Sequence, residues 1–397
     1  MKLKSADKLI LLLVLTYFVS YVTRLDYSAV IAEMVKATDM SKAELSLAVT
    51  GNFLCYGIGL VLGGYIGDKV QPRKLVICGL GVAALANIAV PVCSNYIEIT
   101  AAWSINGFAQ ALLWPAIVKL MISFLSDDEY KKGTVYVAYG SSLGTIAVYL
   151  ISPIIIYFSD WRIVFWVAAA VAVLMILVWL RRPYDVSNEV VKSGGKKEKI
   201  FTPMLFLIMI AIVLHGALRD GITTWMPTYI CETFNLSTFV SIISGVILPI
   251  FSILCFNLTE RIYKKHTNPV LCAQMIFTAG AAAAFLLYVF SESSASLSVI
   301  LSAILTGCMQ GVSLLLVSML PQYFAKTGKV SFVSGVLNAC TFTGSALSAY
   351  VIAVLSDLWG WKATVLSWVL LAIIGAVICK ICVKEWNEKM QPVKEDK

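Results

Sequence analysis

Residues 17–30, YFVSYVTRLDYSAV, and residues 212–225, IVLHGALRDGITTW, each set one arginine deep inside an apolar run long enough to cross a bilayer. Arg24 and Arg219 stand 195 residues apart, each 15 residues from the start of its run at Leu9 or Met204, and each is followed closely by a carboxylate, Asp26 or Asp220. A guanidinium at that depth costs roughly 2.5–3.5 kcal/mol on insertion scales, and such charges face a bundle interior or a water-filled cavity. The repetition predicts one half-molecule used twice, with a polar cavity that receives an anion.

The rest of the chain agrees with a membrane setting. Hydrophobic residues fill 59% of the 397 positions and charged residues 14%, with a mean hydropathy of +0.84, far from the usage of a soluble domain. Apolar runs lie at 9–34, 44–66, 75–93, 97–125, 134–158, 163–180, 204–230, 239–258, 269–291, 297–320, 331–355 and 364–383. Each is near the ~20 residues a crossing helix needs. The predicted fold is therefore an all-α membrane protein of twelve transmembrane helices in two pseudo-symmetric six-helix halves.

Positive charge sets the orientation. With both termini cytoplasmic, the inside segments hold 24 Lys and Arg, the outside loops hold four (Lys36, Lys42, Arg162, Lys362), and three (Arg24, Lys119, Arg219) are intramembrane. That bias predicts a multi-pass protein of the cell membrane with both termini inside. It also accounts for the net charge of +8 without a nucleic-acid partner. The opening MKLKSADK resembles a signal-peptide n-region, but the run after it is too long and shows no small-residue cleavage site, so it reads as an uncleaved first span. Ten cysteines are scattered, and the one CxxC, Cys379 and Cys382, lacks companion ligands. They read as small buried hydrophobes, with no metal site.

The long polar interruption RRPYDVSNEVVKSGGKKEK, 181–199, divides the runs six and six. It predicts a first half at 1–182, a cytoplasmic linker at 183–202, a second half at 203–384 and a tail at 385–397. The other connections are short, which leaves no room for a catalytic or nucleotide-binding domain. No GxxxxGK[ST] motif, nucleophile–base pair or cofactor fingerprint is present, so neither an enzyme nor a self-powered pump is expected. Two six-helix halves with matched intramembrane charges are the pattern of a secondary transporter, working here as a monomer.

The stretch GGYIGDKVQPRK, 63–74, matches the Gly-x-x-x-Asp-Arg/Lys-x-x-x-Arg signature of the major facilitator superfamily through Gly64, Asp68, Lys69 and Arg73; NLTERIYKK, 257–265, echoes it with Glu260 and Arg261. The resemblance implies that Asp68 and Arg73 belong to a conformational gate. Within that superfamily the chain is similar to the organophosphate:phosphate antiporters, through YFVSYVTRLDYSAV, NGFAQALLWPAIVK (106–119), DWRIVFWV (160–167) and ALRDGITTWMPTYI (217–230). This implies that Arg24 and Arg219 grip a phosphoryl group, with Tyr17, Tyr21, Gln110 and Trp114 lining the pocket. Leu60 stands where these antiporters have a pocket lysine, and Ser142 where the glycerol-3-phosphate carriers have a pocket histidine. Those departures move the expected substrate toward a phosphonate or a sugar acid.

Spacing adds its own constraints. Tyr17, Tyr21 and Arg24 lie at i, i+4 and i+7, one helix face. His215 lies four residues before Arg219 and is read either as a substrate or proton ligand or as a hydrogen-bonded structural histidine. Asp26 is off the Arg24 face and is read as a proton carrier or as a buried acid paired to another helix. Asp220 is expected to point away from Arg219. Lys119 snorkels from the end of the fourth run. Two bare guanidiniums ~10 Å apart repel by about 1.7 kcal/mol at an effective dielectric near 20, and a bound anion cancels that repulsion. The expected activity is alternating-access exchange of a small organic anion for inorganic phosphate. The alternatives are proton-coupled symport of a monoanionic carboxylate, or a transporter-like receptor for a sugar phosphate.

Overall fold

The structure, a computed structural model, describes residues 5–182, 184, 202–327 and 330–390. The linker expected at 183–202 lies outside them apart from Tyr184 and Thr202, as does the tail beyond Met390, and so do the side chains of Asp68 and Lys69. All regular structure among the described residues is helical.

Among the described residues eleven stretches are long and apolar enough to cross a membrane, and the last, Val333–Glu388, has 56 residues, far more than one crossing uses. It breaks at Gly360, whose φ of 75° and ψ of 175° leave the helical region. Only glycine takes that conformation without strain. The break gives two spans, 330–359 and 361–390, and a total of twelve among the described residues.

Several spans begin on a side chain that satisfies the first backbone N–H groups. Ser41 and Glu44 form a reciprocal capping box, and Asn95, Asp160, Ser237, Asn268 and Ser294 each accept from the turn that follows. Three spans read as continuous runs in the sequence are interrupted instead. The fourth is Tyr96–Ala111 followed by Leu113–Phe124, the eighth is Thr238–Ser244 followed by Ile247–His266, and the tenth, Ala295–Val312, passes into a π-helical turn at Ser313–Met319. A proline explains each place. Pro115, Pro249 and Pro321 carry no N–H for the carbonyls of Ala111, Gly245 and Val317 four residues earlier, and their rings crowd those carbonyls. Pro153 and Pro227, by contrast, sit inside unbroken helices.

The chain divides into two compact units, Met1–Val191 with Thr224–Pro249, and Lys192–Thr223 with Ile250–Lys397. In the first, Leu13, Val76, Leu80, Ile117 and Leu120 are fully buried beside Trp179, whose indole N–H donates to Thr16 Oγ1 at 2.9 Å. The fifth span lies directly against the first: a Cβ on Gly144 would stand 2.7 Å from the Phe18 carbonyl oxygen. The second unit uses the same device, since a Cβ on Gly344 or Gly216 would collide with the carbonyl oxygen of Val213 or Thr341. Small residues let helix backbones approach where lipid gives no hydrophobic drive to pack. Large side chains such as Leu85, Phe158 and Leu174 point outward, more than 60% exposed, as a lipid-facing surface requires.

Candidate functional site

In the first unit the face predicted from spacing is assembled. The Tyr17 and Tyr21 rings meet edge-on at 5.1 Å, and Tyr17 packs on Trp114 at 5.3 Å. The Arg24 guanidinium carbon lies 4.4 Å from the Tyr21 ring centre and 4.9 Å from that of Tyr56. Tyr56, on the second span (Lys42–Lys69), is the residue that the sequence reading missed. Nothing in a lone tyrosine within an apolar run announces a partner on another helix. Ring faces attract a cation by about 0.5–2 kcal/mol and leave its charge in place. Among the described residues no carboxylate pairs with Arg24. The arrangement holds an uncancelled positive charge inside a spanning bundle, walled by phenol and indole edges, which is what an oxyanion needs.

Gln110 does not join this group. Its Oε1 accepts from Ser20 Oγ, while its Nε2 donates to the Ser20 carbonyl at 3.1 Å and to Thr23 Oγ1 at 2.8 Å. It ties the fourth span to the first and holds the helix that presents Arg24. Ser142 is half-buried on the fifth span, and Lys119 is half-buried near the end of the fourth. Arg73 donates to the carbonyls of Trp179 at 3.2 Å and Leu180 at 2.8 Å, at the C-terminal end of the sixth span. Cations are favoured there because terminal carbonyls are unpaired. The side chain of its expected gate companion Asp68 lies outside the described residues.

The second unit corrects the expectation for Asp220. Its carboxylate does not point away: it accepts from Arg219 Nε and Nη2, both at 2.7 Å, and its Oδ2 also accepts from Ser345 Oγ at 2.6 Å. Adjacent residues diverge by about 100° around a helix, but an arginine stem is long enough to fold back to the neighbouring carboxylate. Arg219 is therefore not a bare guanidinium, and the picture of two uncompensated arginines repelling each other gives way to one open charge, Arg24, and one ion-paired arginine. His215, one turn before Arg219, is fully buried; its Nδ1 lies 3.2 Å from the Ile212 carbonyl and its Nε2 has no hydrogen-bond partner among the described residues.

Asp26 is also fully buried. Its Oδ1 accepts from the Tyr27 N–H at 2.8 Å and its Oδ2 has no partner, so the alternative of pairing to another helix is not realised among the described residues.

A family profile described as Major Facilitator Superfamily matches residues 9–349. The chain is 21% identical over 396 residues to a probable hexose phosphate transport protein of Chlamydia pneumoniae, an alignment covering 87% of this chain and 84% of that protein. It is 27% identical over 283 residues to a glycerol-3-phosphate transporter of Bacillus subtilis, covering 62% and 63%. Among solved structures, a bacterial homologue of the human lysosomal transporter Spinster, inward-facing and unoccupied, matches with a TM-score of 0.78 at 12% identity, over 98% of this chain and 100% of that one. That last likeness is one of fold.

Proposed function

The chain belongs to the major facilitator superfamily, and from that membership we propose that it carries a small phosphorylated organic anion across the cell membrane by alternating access, in exchange for inorganic phosphate. It is a transporter and not an enzyme. The observation that carries the substrate class is the Arg24 guanidinium, held against Tyr21 and Tyr56 with no carboxylate pairing it among the described residues. A phosphoryl group supplies the missing negative charge and accepts two parallel N–H bonds from a guanidinium, while the Tyr17 and Tyr21 hydroxyls lie on the same face. Arg219, in the second unit, is held in orientation by Asp220, which Ser345 braces in turn. The names of the two relatives support a phosphate ester over a sugar acid. The distribution of Lys and Arg, 24 against four, supports cytoplasmic termini.

Thermal unfolding of the purified protein tests the substrate class. Phosphate esters, phosphonates and sugar acids are compared at matched ionic strength, and a ligand at ~100 times its dissociation constant adds about 2.7 kcal/mol. Glycerol 3-phosphate or a hexose phosphate is expected to raise the midpoint in the wild type and not in Arg24→Lys. A response confined to sugar acids would replace the phosphoryl reading with the second one, proton-coupled symport of a monoanionic carboxylate. Leu60 in place of a pocket lysine and the buried carboxyl of Asp26 favour that alternative.

A further inference from the structure

Among the described residues, three buried carboxylate or amide oxygens in the first unit have no donor. They are Oδ2 of Asp26 on the first span, Oδ1 of Asn87 on the third and Oδ1 of Asn106 on the fourth, on side chains that are all 0% exposed. One carbonyl gathers the two amides: Asn87 Nδ2 and Asn106 Nδ2 both donate to the Thr23 oxygen, at 3.1 and 3.0 Å. Asp26 follows Thr23 by three residues, which puts it on the same helix face within side-chain reach of that oxygen. The amide orientations are fixed, because Asn87 Nδ2 also donates to the Ala83 carbonyl at 2.9 Å, and turning either amide would set oxygen against oxygen. Tyr27, tilted against Trp103 at 5.1 Å and edge-on to Phe165 at 6.0 Å, borders the group and donates its hydroxyl to the Leu45 carbonyl.

We propose that Asp26, Asn87 and Asn106 form a binding site for a sodium-sized monovalent cation. The chemistry selects the charge and the class. A lone carboxylate removed from water must be neutralised, and no Lys, Arg or His pairs with Asp26 among the described residues. One positive charge cancels it, whereas a divalent ion would leave an excess charge in the low dielectric. A proton on Asp26 turns one acceptor into one donor and so serves at most one of the two amide oxygens. A cation bound by one carboxylate and two amide oxygens serves all three, and all three are the hard oxygen ligands that such ions take. Of the three, Asp26 alone stands out in the sequence as a candidate site residue.

The test uses the full purified chain and no organic substrate, so its outcome is separate from that of the phosphoryl reading. Unfolding midpoints are measured in sodium chloride and in N-methylglucamine chloride of equal ionic strength, near pH 8, beside equilibrium binding of labelled sodium to the wild type. Sodium is expected to raise the wild-type midpoint by roughly 2 °C or more. Asn106→Ser is expected to weaken sodium binding at least about tenfold, and Asp26→Asn, which keeps the side-chain shape, to abolish the response. Equal midpoints in the two salts with no bound label, a sodium response intact in Asp26→Asn, or stabilisation that follows falling pH and ignores sodium would each overturn the proposal. The binding measurement on the wild type decides the matter even where a variant fails to fold.

Discussion

Replacing Arg24 with lysine is expected to lower substrate affinity about 100-fold while the protein still folds and reaches the membrane. Lysine keeps the charge and can lie over the Tyr21 and Tyr56 rings that now sit 4.4 and 4.9 Å from the guanidinium carbon. It cannot present two parallel N–H groups to one anion. Two hydrogen bonds to a charged partner at about 1.5 kcal/mol each make ~3 kcal/mol, and every 1.4 kcal/mol is tenfold. Ligand titration and size-exclusion profiles of the two proteins side by side check both halves of the expectation. Wild-type affinity in the lysine variant would remove Arg24 from the binding site.

Asp220→Ala is expected to destabilise the second unit by about 3–5 kcal/mol, because it removes the carboxylate that ion-pairs with a mostly buried guanidinium. The two side chains are 18% and 17% exposed and joined by two bonds of 2.7 Å. Ser345→Ala removes one hydroxyl donor to that carboxylate and is expected to cost about 1 kcal/mol. The order of unfolding midpoints, wild type above Ser345→Ala above Asp220→Ala, is the measurement. An alanine at 220 that melts with the wild type would mean that the ion pair contributes nothing to folding.

Hydropathy made the twelve crossings legible, because a run of ~20 apolar residues can do little else in water or lipid. It could not locate their interruptions, since an apolar window looks the same whether or not the helix inside it breaks. The prolines did carry that signal: Pro115, Pro249 and Pro321 mark the three broken spans. Pro153 and Pro227 show why the signal is incomplete, for neighbouring structure can absorb the lost bond. Gly360, one glycine among 25, ends a span only because its backbone takes a positive φ.

The site divides along the same line. Tyr17, Tyr21 and Arg24 were legible because one helix fixes their relative directions. Tyr56 and the Asn87–Asn106 pair were not, because three different helices bring them to the first span and only packing sets which rotation faces it. Gln110 reads as a pocket residue in the sequence, but its donors and acceptor are taken up by Ser20 and Thr23. Asp220 meets Arg219 against expectation because the direction of a side chain at Cβ does not fix where a long arginine ends, and its flexible stem folds back.

Counterflow in reconstituted vesicles separates exchange of a phosphorylated anion from proton-coupled symport. Proteoliposomes loaded with inorganic phosphate are predicted to take up labelled glycerol 3-phosphate or hexose phosphate rapidly, and vesicles without internal phosphate are predicted to take up little even with an imposed inside-alkaline pH gradient. Strong uptake into the phosphate-free vesicles driven by that gradient, with no stimulation by internal phosphate, would contradict exchange and establish proton-coupled symport in its place.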